Sequence, residues 1–174
     1  KMNLQLISNG DSRRWVLKDP SHLWAPEALL STFPDACIIQ MHRDPCKLIP
    51  SVASLVYTTR QMVEPDIDKH RIGRRELAQW SSLLSNLDLF RSNYSSSSIY
   101  DVSMDELQQD PAAVIKGIYD HFSLNQRNNF DSEVKKMVSN FRRDNLHSQS
   151  SHSYTPEEFG LTDEIIKKAF FYNN

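Results

Sequence analysis

The feature that most constrains this chain is a short apolar run between positions 38 and 55 that turns directly into a helical pattern. Residues 37–41 are apolar and partly β-branched, and they follow the turn residues Pro34 and Asp35. This pattern predicts a buried strand that ends at about Met41.

The residues after this strand carry the signals of a helix start. Asp44 can act as the N-cap that accepts from free backbone amides, and Pro45 suits the first helical position. Apolar residues then recur at helical spacing: Ile49, Val52, Ala53 and Val56. Pro50 removes one backbone hydrogen bond, so it could bend the helix or delay its start.

Arg43 stands at the switch from strand to helix. Open α/β sheets bind ligands beyond the carboxyl ends of their strands, and a helix N-terminus there favours an anion. The guanidinium offers a planar fork of donors that matches phosphate, and Ser51 is the nearest hydroxyl that could add another. These residues predict an anion site, with a surface ion pair from Arg43 to Asp44 or Asp19 as the alternative. By strand alternation His42 is expected to face away from Arg43 and to pack against a helix.

Composition excludes several other classes. The 174 residues are 39% hydrophobic, which suits one domain, and the net charge of −2 provides no basic field for nucleic acid. No apolar run is long enough to span a membrane, and the two cysteines favour a reducing compartment. We expect a soluble protein, cytoplasmic by default, or lumenal if an upstream anchor exists. His147 and His152 lack a third ligand at useful spacing, so no metal site is expected.

The segment before this strand predicts a second strand. Residues 15–17 are apolar and are stopped by a Lys-Asp-Pro sequence, which predicts a buried strand whose carboxyl end presents Lys18 and His22. A short helix at 27–33 separates the two predicted strands. Strand, helix and strand at this spacing predict a parallel pair.

The second half of the chain is predicted to be mostly helical. A long helix has its apolar face at Leu77, Trp80, Leu84 and Leu87, with Glu76 on another face. A third strand is predicted at residues 99–102, followed by helices over about 111–122 and 131–145. Residues 147–153 predict a mobile or ligand-ordered loop, and Thr162 is expected to cap a final helix.

Several of these segments together resemble the sulfotransferase superfamily, specifically its sulfotransferase-3-like branch. They are WVLKDPSH at 15–22, FPDACIIQMHRDP at 33–45 with Ser51, SYTPEEFGL at 153–161 and DVSMDELQQDP at 101–111. The resemblance implies a P-loop-type three-layer α/β/α fold with a short parallel sheet and a helical C-terminal half. It also implies that residues 1–174 form a single sulfotransferase-like domain that is the C-terminal part of a longer one.

The resemblance implies a function as well. Members transfer a sulfuryl group from 3′-phosphoadenosine-5′-phosphosulfate (PAPS) to a hydroxyl or amine, here on a small-molecule or glycan acceptor. The family's residues that match Arg43 and Ser51 bind the 3′-phosphate of the donor. Its donor clamp falls around His152 and Tyr154, where this chain has serines in place of the usual basic and glycine residues.

Two further residues match the chemistry of the transfer. Lys18 matches the lysine that neutralises charge on the sulfuryl group. His22 is the nearest candidate base for the acceptor hydroxyl, since a pKa near neutrality suits that proton transfer.

The chain also departs from the family pattern. Met104 replaces a tyrosine that contacts the adenine region, and none of the four glycines lies in a phosphate-cradling loop. Activity of this chain by itself is therefore left open. The alternatives are a non-catalytic relative that binds a nucleotide or a protein, and a P-loop kinase relative, although no Walker lysine or Mg²⁺ carboxylates are found. The acceptor and the oligomeric state are not encoded in any motif.

Overall fold

The structure is a computed structural model that describes residues 7–11, 14–94, 98–124, 128–145 and 153–171. Its strands are β1 (Ile38–His42) and β2 (Ile99–Ser103). Its helices are α1 (Pro26–Thr32), α2 (Pro45–Arg60), α3 (Lys69–Asn93), α4 (Met104–Gln109), α5 (Pro111–His121), α6 (Phe130–Asn145) and α7 (Asp163–Phe171). Two short 3-10 turns, Pro20–Trp24 and Pro156–Phe159, precede α1 and α7.

The two strands form a short parallel sheet. In its register Gln40 lies opposite Asp101, and His42 lies opposite Ser103. Both strands were predicted from the sequence within one residue of their observed bounds. Because parallel strands need a long crossover connection, α2 and α3 fill the sequence between them.

The predicted strand at residues 15–17 is wrong, and so is its pairing with β1. These residues have no regular secondary structure and are exposed, with Val16 87% accessible. The preceding Arg14 contacts Cys37, next to β1, from Nη1 to Sγ at 3.6 Å. Apolar composition favours a strand only where a neighbouring edge pairs with it, and the edge of β1 that pairs does so with β2.

Helices cover both faces of the sheet, as a three-layer α/β/α fold requires. On one face, Ile99 of β2 packs against Leu87 and Phe90 of α3, and Leu23 and Leu30 border this cluster. Tyr100 is on the opposite face. Its ring lies 6.4 Å, between centroids, from that of Phe122, and its hydroxyl abuts Gly117 of α5.

A second core lies between α2, α3 and the C-terminal segment. Its buried members come from all three regions: Ile49, Ala53, Ile72, Phe159, Leu161 and Ile166. The close fit needs Gly73, because a Cβ there would lie 2.1 Å from the carbonyl oxygen of Phe159. Gly160 ends the neighbouring 3-10 turn at φ 64°, a left-handed conformation that glycine adopts without strain.

One polar residue of α3 contradicts the predicted helix faces. Glu76 is only 6% exposed, although the apolar periodicity placed it away from the apolar face of the helix. Helix α3 packs against α2 and α7, and also against α1. It therefore buries more of its circumference than a single apolar stripe predicts. No helix within the described ranges combines the length and apolarity needed to cross a bilayer.

Candidate functional site

The turn between β1 and α2 has the geometry that the sequence predicted. The Asp44 side chain accepts a hydrogen bond from the Cys46 amide at 2.9 Å, and Pro45 occupies the first helical position. Arg43 lies between the last residue of the strand and this cap, with its side chain exposed. In the described part of the chain it forms no ion pair with Asp44 or Asp19, so the alternative of a surface ion pair is not observed.

Ser51 lies two turns into α2 and is half-buried. The helix is continuous from Pro45 to Arg60, although Pro50 sits inside it. The alternative of a later helix start is therefore wrong. Pro50 is fully buried, and its ring packs in the core while only one helical hydrogen bond is lost. Arg43 and Ser51 are thus presented by one strand, one turn and one helix.

The carboxyl end of the sheet carries a polar network that the sequence analysis missed. Asp101 accepts from Arg91 through both oxygens, at 2.7 Å and 2.6 Å. His42 Nε2 lies 2.6 Å from Oδ1 of Asp101, and Arg91 Nη1 also donates to Oε1 of Gln40 at 2.6 Å. We call these four residues the sheet-end network. The sequence carries one signal of this network: Gln40 and His42 are two residues apart on β1, so their side chains lie on the same face of the sheet.

The network sets the charge state of its carboxylate and corrects the prediction for His42. Hydrogen bonds from Arg91, aided by the one from His42, lower the pKa of Asp101 to about 2. The hydrogen bonds to Asp101 in turn raise the pKa of Arg91. His42 faces a carboxylate rather than an apolar helix surface, because the face that α3 covers turns polar at this end of the sheet.

Lys18 directly precedes the N-cap of the first 3-10 turn, and His22 lies within that turn. Asp19 caps this turn by accepting from the Ser21 amide at 2.8 Å, and that backbone hydrogen bond is the main reason why the pKa of Asp19 is lowered. Lys18 is exposed and His22 is half-buried. Among the residues that the structure describes, Lys18 makes no ion pair with Asp19 or Asp44.

An ion pair joins the C-terminal segment to α3, and its lysine also lies over an aromatic ring. Lys69 forms an ion pair with Glu158 and lies 4.8 Å from the ring centroid of Tyr57. Glu158 also accepts from the Thr155 amide, which completes a capping box. Tyr154 is half-buried against the core that contains Ile49 of α2. His152, predicted beside it, lies outside the described residues, as does most of the predicted loop at 147–153.

The candidate residues therefore fall into two groups. Ser51 lies on α2, Arg43 directly precedes that helix, and Tyr154 packs against the core to which α2 contributes. Lys18 precedes, and His22 lies within, a turn whose Leu23 packs against the other core. In the described ranges no three His, Cys, Asp or Glu side chains are grouped as metal ligands. A pocket of about 280 Å³ between α5 and α6 contains none of these candidates; it is lined by Asp110, Ala112, Ala113, Lys116, Phe130, Asp131, Val134 and Lys135.

Comparison with known proteins shows that this chain is similar to sulfotransferases. A model of the sulfotransferase family, Sulfotransfer_3, matches residues 3–128. Omega-hydroxy-beta-dihydromenaquinone-9 sulfotransferase Stf3 from Mycobacterium bovis is 24% identical over 152 residues, which cover 86% of this chain and 38% of that protein. The Mycobacterium tuberculosis protein of the same name gives the same values.

Solved structures show the same similarity in three dimensions. Sulfotransferase STF1 from Mycobacterium tuberculosis matches with a TM-score of 0.77 and 34% identity over 98% of this chain. Sulfotransferase STF9 from Mycobacterium avium matches with a TM-score of 0.81 and 26% identity over 96% of this chain. This chain covers 43% of the first structure and 42% of the second, so it spans about two fifths of the length of these relatives.

Proposed function

Because the chain belongs to the sulfotransferase family, we propose that it binds PAPS and takes part in sulfuryl transfer to a hydroxyl or amine acceptor. Arg43 and Ser51 would hold the donor's 3′-phosphate. The observation that carries this proposal is the exposed Arg43 between the end of β1 and the capped start of α2, with no ion-pair partner among the described residues.

The physical reason is the match between this turn and a phosphate. A guanidinium makes two parallel charge-assisted hydrogen bonds to phosphate oxygens, and a helix start adds a favourable dipole. An arginine already paired with a carboxylate would lose that pairing when it bound a ligand. Among the described residues Arg43 makes no ion pair, so binding a phosphate would break none.

The transfer chemistry would use residues from the other group. Lys18 would offset the charge that develops on the sulfuryl group, and His22 would take the proton of an acceptor hydroxyl. Tyr154 and His152 would border the nucleotide. Stf3 is named for a hydroxylated menaquinone, which supports a small-molecule hydroxyl as the acceptor class, with a glycan as the alternative.

The extent of the similarity supports a further part of this proposal. Since this chain spans about two fifths of the length of its relatives, residues 1–174 would form one part of a single sulfotransferase domain. The motifs that resemble the family would make it the C-terminal part. The cradle for the donor's 5′-phosphosulfate would then come from the remainder of that domain. Removal of one preorganised donor at a reacting oxyanion costs about 3 kcal/mol of barrier, so we expect this chain by itself to transfer sulfate slowly or not at all.

Calorimetric titration with adenosine 3′,5′-bisphosphate tests the phosphate site. Arg43→Ala should weaken binding by about tenfold or more, because charge-assisted hydrogen bonds are lost. Arg74→Ala is the control, since Arg74 is another exposed arginine and lies on α3, where it pairs with Asp68 at 3.9 Å. Adenosine 5′-monophosphate, which lacks the 3′-phosphate, should bind weakly and without dependence on Arg43. Equal affinity of the wild type and Arg43→Ala for the bisphosphate would contradict the assignment.

A second candidate function is nucleotide binding without transfer. The exposure of Lys18, on a segment that is not part of the described sheet, favours it. A transfer assay with radiolabelled PAPS and a panel of hydroxyl and amine acceptors, run on the longest natural gene product, separates the two. Turnover that disappears in Lys18→Met supports the enzyme, whereas bisphosphate binding without turnover supports the binding protein.

A further inference from the structure

The sheet-end network lies immediately beside the proposed phosphate site. The face of the sheet that α3 covers is apolar at its amino end, where Ile99 packs against Phe90, and polar at its carboxyl end. His42 is both a member of the network and the last residue of β1, so its backbone is joined directly to Arg43. Anything that holds the His42 side chain also restrains the position from which Arg43 extends.

Asp101 is held in place by Arg91. Its two oxygens accept from two nitrogens of Arg91, and such a bidentate pair sets the orientation of the carboxylate as well as its charge. Nε2 of His42 lies 2.6 Å from Oδ1 of the same carboxylate. The imidazole therefore binds an acceptor that is already held on its other side.

The end of β1 must be held in place if Arg43, the next residue, is to bind a ligand. His42 is the last residue of β1, and strand ends open more readily than strand centres. A binding residue must also be held within a fraction of an ångström of its working position by the groups around it. His42 is the one side chain at the end of β1 that reaches across to β2 through a hydrogen bond in the described structure.

We propose that His42 and Asp101 are positioning residues of the nucleotide site, which hold the end of β1 so that Arg43 meets the donor's 3′-phosphate. The inference rests on the proposed function. Neither residue contacts the phosphate in this scheme. Both act through Arg43, and the geometry of one hydrogen bond between β1 and β2 decides the affinity.

Two amide substitutions of His42 separate this role from general stability. Glutamine places its amide nitrogen near the position of Nε2, so His42→Gln can still donate to Asp101. Asparagine is too short to do so, yet it is equally polar. We expect His42→Asn to weaken binding of adenosine 3′,5′-bisphosphate about tenfold and His42→Gln to restore it to within about threefold of the wild type.

The same titrations include two comparison variants. Met41→Ala shortens the neighbouring side chain on the opposite face of β1 and should bind like the wild type. If Arg43→Ala weakens binding while His42→Asn matches the wild type, the positioning role is overturned and the phosphate site stands. If Arg43→Ala has no effect, the proposed function itself fails. Equal losses in His42→Asn, His42→Gln and Met41→Ala would show general loosening of the strand and would also overturn the inference.

Discussion

At the scale of single residues, Asp101 shows how one carboxylate joins electrostatics to folding. Its pKa is lowered from 3.8 to about 2, chiefly by the hydrogen bonds from Arg91. A lowered pKa in the folded state means that the ionised carboxylate stabilises the fold. The full contribution is present above about pH 4, and it is lost as the pH falls towards about 2.

Asp101→Asn should therefore destabilise the protein in a pH-dependent way. The side chain is 46% exposed, so solvent screening limits the expected loss near neutral pH to about 1 kcal/mol. Urea unfolding of both proteins at about pH 7 and about pH 2.5 measures the difference in free energy of unfolding. The difference should shrink at the lower pH. A loss of the same size at both values would show that ionisation of Asp101 does not contribute.

At the scale of elements, the packing of α3 against the C-terminal turn depends on the absence of a side chain at Gly73. Alanine normally stabilises a helix relative to glycine by about 1 kcal/mol. Here its Cβ would lie 2.1 Å from a backbone oxygen of Phe159, which belongs to a separate segment and can move only if that segment moves. The clash should outweigh the gain in helix propensity.

We expect Gly73→Ala to destabilise the protein by about 1–3 kcal/mol, as overpacking does. Gly117→Ala in α5 is the matched control. Its Cβ would meet the hydroxyl of Tyr100 at 2.4 Å, but that group is the far end of a side chain and can shift. Thermal unfolding followed by circular dichroism should rank Gly73→Ala as the less stable variant. The reverse order would contradict the close contact between α3 and the turn.

At the scale of the whole molecule, the C-terminal segment is part of the core and not an appendage. Phe159, Leu161 and Ile166 are three of the six buried members of the cluster that also anchors α2. Their apolar area is removed from water only if α2 and α3 are in place. The element that presents Ser51 therefore depends on residues more than a hundred positions later in the chain.

Two neighbouring isoleucines of α7 test this dependence. Ile166 is 0% exposed and Ile165 is 46% exposed. Ile166→Ala should lower the free energy of unfolding by about 2–5 kcal/mol, because it leaves a cavity in the core. Ile165→Ala, with the same change in helix propensity, should cost less than about 1 kcal/mol. Similar losses in urea unfolding would mean that α7 is not packed as described.

The sequence allowed good prediction of features that are decided within a few residues. The cap at Asp44, the helix start at Pro45 and the end of β1 are local, because caps, proline and periodicity act over one or two turns. The position of Arg43 at the strand-to-helix switch followed from them. The strand at residues 99–102 was predicted in the same way, from its own local pattern.

The tertiary structure decided which of these elements meet. Apolar pattern alone could not show that residues 15–17 stay exposed while β1 pairs with β2, since strand pairing depends on which edges are brought together. His42 and Asp101 are 59 residues apart, and no local signal joins them. The sequence by itself determined that the arginine proposed to bind an anion stands at the end of a strand, whereas only the fold brought His42 and Asp101 together beside it, because that contact joins distant parts of the chain.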